Sequence, residues 1–158
     1  MKKLIIILVT LIAACSSSNE KKAEEKGFES KDFYADSETK TDPEHEKKGI
    51  GKFTNVELST TLDKAMAESG QKVYDLKCSA CHRLTNEKLV GPGWKEVTTR
   101  RKAEWIMNFA TNTDEMIDKD PQAQAMLEEC MVRMPNQNLA DEEARNILEY
   151  MRKNDGLK

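Results

Sequence analysis

Three chemically reactive side chains lie close together in the middle of this 158-residue chain. Cys78 and Cys81 are separated by two residues, and His82 follows directly. Two thiols at this spacing can add to the two vinyl groups of a haem and form thioethers, because one helical turn presents both sulfur atoms to one edge of the porphyrin. His82 then lies beneath the iron and can coordinate it. The spacing predicts one covalently bound haem c, attached through Cys78 and Cys81, with His82 as an iron ligand.

Other readings of the paired cysteines are weaker. A thioredoxin-like redox pair needs a strand–helix–strand context, which the sequence does not indicate. A zinc site needs further ligands, and no second cysteine pair is present. A simple disulfide needs no histidine at the next position. Cys130 is left without a partner in these motifs, and its default role is that of a buried thiol acting as a small hydrophobe.

A second axial ligand to the iron would have to come from elsewhere in the chain. Met126, Met131 and Met134 are the candidates. All three could be core residues, because methionine commonly fills gaps in helical domains. Met126 fits the apolar stripe of a predicted helix, and Met131 follows Cys130, so both have packing roles available. Met134 precedes Pro135 in a segment that is predicted to be a loop, and a loop can present a thioether without interrupting a helix.

The elements that would position these side chains are predicted to be helices. Apolar residues recur at helical spacing in four segments, residues 62–76, 102–110, 123–127 and 144–151. The stripe of the first segment consists of Leu62, Met66, Val73 and Leu76. Asp120 and Pro121 form a helix-start signal, and Asp141 is the predicted cap of the last helix. Since no segment between about Thr61 and Lys153 alternates convincingly in the manner of a strand, these patterns predict an all-α domain with long loops.

The segment from about Leu62 to Lys153 resembles the class I c-type cytochromes. Four motifs carry the resemblance: Gly70–Cys78, Gly91-Pro92, Met134-Pro135 and Leu148–Met151. The resemblance implies a class I cytochrome c-like fold of three to five helices around one covalently bound haem. It also implies that Tyr150 of the last helix packs over Gly70 of the first.

The same resemblance assigns roles to residues around the iron. The Pro92 carbonyl is implied to accept a hydrogen bond from His82, which would fix the ring and tune its basicity. Met134 is implied to be the distal iron ligand. Trp94 departs from the family pattern, which usually has Leu shortly after the Gly-Pro pair. This departure leaves the packing at the haem edge open.

The first fifteen residues have the pattern of an export signal. Two lysines precede the apolar run Leu4–Ile12, and small residues precede Cys15. The pattern resembles the lipobox of bacterial lipoproteins, in which the cysteine is lipidated and becomes the first residue. We therefore expect a signal peptide at residues 1–14 and a lipid on Cys15, which would anchor the protein on the periplasmic side of a bacterial membrane. The alternative is an ordinary signal peptide cut at the alanines before Cys15.

Residues 15–60 are predicted to form a charged, flexible tether in front of the cytochrome c domain at residues 61–158. The 45 residues after Cys15 hold 8 Lys and 11 Asp or Glu, a composition typical of disorder. As a flexible coil they would have an end-to-end distance of roughly 35–40 Å. The last part, Ile50–Leu58, alternates more and is a candidate for an extended arm that packs on the domain.

The net charge bears on the class of partner. Removing residues 1–14 deletes two lysines and no acidic residue, which leaves 23 basic and 28 acidic residues and a charge of −5. A negative chain is a poor ligand for a phosphate backbone, so nucleic acid is disfavoured as a partner.

Together these features predict an electron carrier and not an enzyme. With His82 and Met134 both bound, the iron has no free position for a substrate, so single electrons would pass through an exposed haem edge. The expected partners are a membrane quinol-oxidising complex as donor and an exported reductase or oxidase as acceptor. The Cys15 signal, the tether and Met134–Leu139 are similar to those of small cytochromes that accompany nitrous oxide reductase. The alternatives are a haem-based gas sensor or peroxidase-like domain with an open sixth site, and a purely structural lipoprotein.

Overall fold

The computed structural model describes residues 47–158, and this part of the chain is helical. Six helices lie within it: α1 Lys64–Lys77, α2 Val97–Arg100, α3 Ala103–Thr111, α4 Thr113–Lys119, α5 Pro121–Cys130 and α6 Asp141–Asn154. These residues contain no β-strand, only an isolated bridge between His82 and Lys88. The predicted all-α class is confirmed. The count exceeds the expected three to five helices by one, because α2 and α4 are too short to show a periodic apolar stripe in the sequence.

The first and last helices form the centre of the domain. Within the described range, α1 and α6 make the most extensive interhelix contact. A β-carbon on Gly70 would meet the carbonyl oxygen of Asn146 and come within 2.9 Å of the Tyr150 β-carbon. Only glycine permits this close approach of two helices. The packing of Tyr150 over Gly70 that the resemblance implied is therefore present.

The predicted apolar stripe holds for α6 and fails at one end of α1. The α6 residues Ala144, Ile147, Leu148 and Met151 are all buried. Leu76, by contrast, is 84% exposed. The buried face of α1 runs through Ala67, Gly70 and Tyr74, which places Leu76 on the solvent side.

Of the two predicted helix caps, the one at Asp120 is confirmed and the one at Asp141 is wrong. Asp120 caps α5, where its side chain accepts a hydrogen bond from the Ala123 N–H at 2.8 Å and Pro121 occupies the first helical position. Asp141 is not the cap of α6, because it lies inside the helix and Ala140 occupies the cap position. Glu143 compensates for the missing cap side chain by accepting from the Ala140 N–H at 2.9 Å.

The segment at residues 48–59, here named the N-terminal arm, packs against the helices; Lys48 ends a helical turn, and residues 49–59 have no regular secondary structure. Asn108 of α3 holds it by donating to the carbonyl oxygens of Lys48 and Phe53, at 3.0 and 2.9 Å, and by accepting from the Phe53 N–H at 3.0 Å. Further hydrogen bonds reach the arm from Glu104, Asn112, Met116 and Arg152. The expected arm at Ile50–Leu58 is therefore present, and this part of the segment 15–60 belongs to the folded domain and not to a free tether.

The other expected N-terminal features lie outside the described residues. These are the signal peptide at residues 1–14, the lipid site at Cys15 and the tether as far as residue 46. Between residues 47 and 158, no helix is both long enough and apolar enough to cross a membrane.

Candidate functional site

The paired cysteines and the histidine lie in a turn that continues directly from α1. Cys78 caps this helix, and its N–H donates to the Tyr74 carbonyl oxygen at 2.9 Å. The N–H groups of Cys81 and His82 then donate to the Cys78 carbonyl oxygen at 3.0 and 2.9 Å. One helix end thus positions both thiols and the imidazole. Both thiols are free, and burial raises the pKa of Cys78 to about 11, so this side chain is a neutral thiol before haem attachment.

His82 is buried and oriented by the residues that follow the motif. Its Nδ1 lies 2.9 Å from the Pro92 carbonyl oxygen. Because a carbonyl oxygen can only accept, Nδ1 carries the proton and Nε2 presents a lone pair. Burial lowers the pKa of His82, and the hydrogen bond to Pro92 opposes this shift. The neutral imidazole with a free Nε2 is the form that can coordinate a metal.

The space behind His82 is filled by an aromatic cluster that includes the atypical Trp94. The Trp94 ring lies 5.4 Å from the His82 ring and 5.0 Å from the Tyr74 ring, measured between centroids. Tyr74 also donates its hydroxyl proton to the His82 carbonyl oxygen at 2.7 Å. Trp94 is buried beside the histidine and lines the larger cavity.

Two cavities of about 490 and 100 Å³ flank the histidine. His82, Pro92, Phe109, Met126 and Met134 line both of them. The larger cavity reaches Cys78 and the smaller one reaches Cys81. The larger volume lies in the range of roughly 300–1,000 Å³ that is common for cofactor sites. The residues therefore fit a haem, since each of the two mostly apolar cavities is lined by the imidazole, by thioethers and by one of the two thiols.

The three candidate methionines occupy different positions. Met134 is partly buried and lines both cavities, together with His82. Met126 also lines both, so its side chain is part of the cavity wall and not only of a helix core; its Sδ lies 3.8 Å from Nη2 of Arg101. Met131 is 84% exposed at a left-handed position after α5. The packing role expected for Met131 is wrong, because this residue caps the end of α5 and leaves its side chain in solvent.

Basic residues on the wall of the larger cavity were not recognised in the sequence. They are Lys88, Lys95, Arg100 and Arg101. The Arg101 guanidinium lies 4.8 Å from the centre of the Trp105 ring and bonds to Gln122. Cationic side chains here can pair with the carboxylates of a haem. The adjacent pair Arg100 and Arg101 before a predicted helix was the available signal, but such a pair is usually a solvated surface feature.

Cys130 lies at the end of α5 and lines the smaller cavity. It is partly buried, and burial raises the pKa of its thiol. The expected role as a small apolar side chain agrees with this position at the cavity wall.

Two comparisons with known proteins agree with this geometry. A family model described as cytochrome c matches residues 67–155. A solved structure of cytochrome c from Rhodothermus marinus is 37% identical, with a TM-score of 0.68, over 72% of this chain and 97% of that chain. An engineered cytochrome c from Rhodothermus marinus bound to a carbene intermediate is 37% identical, with a TM-score of 0.65, over 72% of this chain and 98% of that chain. No match was found among curated protein sequences.

Proposed function

The chain belongs to the cytochrome c family, and from this premise we propose that it is a one-electron carrier whose haem iron is bound by His82 and Met134. The observation that supports this ligand pair is that both side chains line both cavities. A covalently bound haem c supplies an iron that alternates between the ferric and ferrous states. The protein's own residues set which groups hold that iron and how electrons reach it.

Each residue around the site has a distinct task in this proposal. Cys78 and Cys81 fix the haem edge at the end of α1. Pro92 holds the ring of His82 through the Nδ1 hydrogen bond and raises the basicity of Nε2. Met134 supplies a thioether, a soft ligand that raises the reduction potential. With His82 and Met134 both holding the iron, no coordination position would remain for a substrate, and the protein would only exchange electrons.

A patch of exposed apolar side chains marks the point where electrons would enter and leave. It consists of Leu89, Val90, Met131 and Val132. Val90 and Val132 also line the smaller cavity beside Cys81. The patch thus borders the cavity edge nearest to a thioether bond, and an apolar contact there lets a partner approach the haem closely.

The cellular setting of the carrier is also part of the proposal. We place the protein on the periplasmic side of a bacterial membrane, anchored through a lipid on Cys15. The charged segment after Cys15 would let the haem domain move between partners. The donor is a membrane quinol-oxidising complex, and the acceptor is an exported reductase or oxidase. Nitrous oxide reductase is the specific candidate, through the resemblance of Cys15 and Met134–Leu139 to the cytochromes that accompany it.

Covalent attachment is tested by extraction with acidified acetone. Protein produced with a haem-attachment system should keep its colour after extraction and stain for haem in a denaturing gel. Cys78→Ala with Cys81→Ala should give colourless protein. Loss of colour from the wild-type protein would contradict covalent attachment.

The axial ligand is tested with three methionine variants. Oxidised wild-type protein should show the weak near-infrared band of a sulfur–iron bond. Met134→Ala should abolish the band and let carbon monoxide bind ferrous protein readily. Met131→Ala is the matched exposed control, and Met126→Ala tests the other thioether that lines the cavities; both should keep the band. If only Met126→Ala removes it, the ligand assignment is wrong and the carrier function survives.

An open sixth site is the alternative outcome of the same experiment. The engineered Rhodothermus marinus cytochrome c is described as bound to a carbene intermediate, so a protein similar to this chain can hold a small ligand. If the wild-type ferrous protein binds carbon monoxide readily, a sensor or peroxidase-like function becomes the better explanation.

A further inference from the structure

The residue directly before Met134 makes a multiple contact with a neighbouring helix. Nη2 of Arg133 lies 2.9 Å from Oδ1 of Asp118 and 3.3 Å from Oδ1 of Asp114. The same nitrogen donates to the Asp114 carbonyl oxygen at 3.1 Å. Both aspartates belong to α4. The side chain of Arg133 thus joins the segment that carries Met134 to a helix elsewhere in the fold.

The remainder of that segment is poor in long-range hydrogen bonds. Residues 131–140 separate α5 from α6 and form no helix of their own. In the described structure, the other side-chain hydrogen bonds within 135–139 are local, from Gln137 to the Pro135 carbonyl and from the Asn138 N–H to Asn136. A loop with few long-range bonds opens easily. The contact from Arg133 therefore restrains the part of the loop nearest to Met134.

We infer that Arg133 is a positioning residue that keeps Met134 on the iron by fastening its loop to Asp114 and Asp118. This inference rests on the proposed function, because it requires Met134 to be the distal ligand. When the Arg133 contact breaks, the loop can move away from α4 and the thioether can leave the iron. Arg133 also lines the smaller cavity, but in this proposal it acts on the iron only through the position of Met134.

The exposure of the three side chains dictates how this restraint responds to salt. Arg133, Asp114 and Asp118 are 43%, 63% and 59% exposed. Contacts between exposed charges are weakened by dissolved ions, whose screening length falls to about 3 Å at 1 M salt. The rate at which Met134 leaves the iron should therefore rise with salt in the wild-type protein. A variant without the arginine charge should lack most of this dependence.

The experiment measures how fast imidazole replaces Met134 on the oxidised haem protein. At saturating imidazole the observed rate equals the rate of Met134 departure. Arg133→Gln should raise this rate about two- to fivefold at low salt, the scale of an exposed ion pair. Wild-type protein at about 1 M sodium chloride should approach the rate of the variant. Arg133→Lys keeps the charge but loses the planar guanidinium, so its rate at low salt should lie between those of the wild type and Arg133→Gln.

The control variant removes another exposed ion pair from the same helix. Lys119 binds Glu115 at 2.8 Å within α4 and does not reach the loop. Lys119→Gln should leave the imidazole rate and its salt dependence as in the wild type. Amide hydrogen exchange gives a second readout, and it should accelerate at residues 131–134 in Arg133→Gln but not in Lys119→Gln.

The outcomes separate this inference from the proposed function. If the wild-type protein shows the sulfur–iron band and Arg133→Gln exchanges its ligand at the wild-type rate, the positioning role is overturned and the carrier function stands. An equal acceleration in Lys119→Gln would also overturn it, because loosening α4 alone would then explain the result. If the wild type lacks the band, both conclusions fall together.

Discussion

The carbonyl oxygen of Pro92 lies 2.9 Å from Nδ1 of His82. This distance fixes the tautomer of the histidine and leaves Nε2 as the only ring nitrogen able to bind iron. Gly91 makes the approach possible, because a β-carbon at this position would lie 2.9 Å from both ring nitrogens and meet Cε1 as well. The Gly91-Pro92 pair therefore supplies both the hydrogen bond and the space for the ring.

Gly91→Ala should displace the His82 ring and lengthen the hydrogen bond from its Nδ1 to the Pro92 carbonyl oxygen. A histidine that donates less charge stabilises ferric iron less, so the reduction potential should rise. A redox titration followed by visible absorption measures this shift. Glu87→Ala is a suitable control, since Glu87 lies exposed in the same loop. An unchanged potential in Gly91→Ala would show that the ring has room that the structure does not indicate.

The parts of the fold that the sequence predicted are those encoded by neighbouring residues. The paired cysteines with His82, the start signal at Asp120 and the apolar stripe of α6 each depend on spacings of a few residues. The side chains that meet in such patterns are fixed by one turn of helix. Their positions could therefore be predicted without knowing the rest of the fold.

The parts that escaped prediction depend on contacts between distant segments. Asn108 looks like an ordinary polar residue of an amphipathic helix, yet its partners are backbone atoms of the arm about 60 residues away. Arg133 gave no signal either, because its aspartates lie on another helix. Leu76 extended an apolar stripe, although the true contact face of α1 was set by the approach of α6 at Gly70. Spacing along one segment contains no information about these partners.

Gly70→Ala tests the close approach of α1 and α6. A methyl group there would collide with backbone of α6, which cannot move aside as a flexible side chain can. Overpacking of this kind costs about 1–3 kcal/mol, and we expect a decrease in the free energy of unfolding at the upper end of that range. Denaturant unfolding of the haem protein measures it. Gln71→Ala, at the exposed neighbouring position, should change stability little.

Asn108→Ala tests whether the N-terminal arm is part of the folded domain. Asn108 is 1% exposed and makes three hydrogen bonds to the arm backbone. Removing them should lower the free energy of unfolding by about 1–3 kcal/mol. Limited proteolysis should then cut within residues 48–59 in the variant and not in the wild type. Asn55→Ala changes an exposed residue of the arm itself and should leave it protected. Cleavage at equal rates in all three proteins would show that Asn108 does not hold the arm.

Glu149 lies at the centre of a buried charge network that joins α6 to the start of α1. Its carboxylate accepts hydrogen bonds from Arg145 at 2.7 Å, Arg152 at 2.8 Å and the Asp63 N–H at 2.9 Å. Arg152 continues the network to the Ser59 carbonyl oxygen at the end of the arm. Burial by itself raises the pKa of Glu149, but these hydrogen bonds outweigh it and the pKa lies below its ordinary value.

The lowered pKa sets the pH range in which Glu149 stabilises the fold. A carboxyl group with a lower pKa in the folded state stabilises it fully above the unfolded-state value of about 4.3, and this contribution is lost as pH falls through the folded-state pKa. Glu149→Gln should therefore lower the free energy of unfolding by about 1.5–3 kcal/mol at neutral pH. The free energies of unfolding of the wild type and Glu149→Gln should converge as the pH falls below about 4. Denaturant unfolding between pH 7 and pH 3 measures this difference.

The control is Glu142→Gln, an exposed change on the same helix. Its free energy of unfolding should depend on pH in the same way as that of the wild type. A difference between the wild type and Glu149→Gln that stays constant down to pH 3 would mean that the network does not depend on the charge of Glu149.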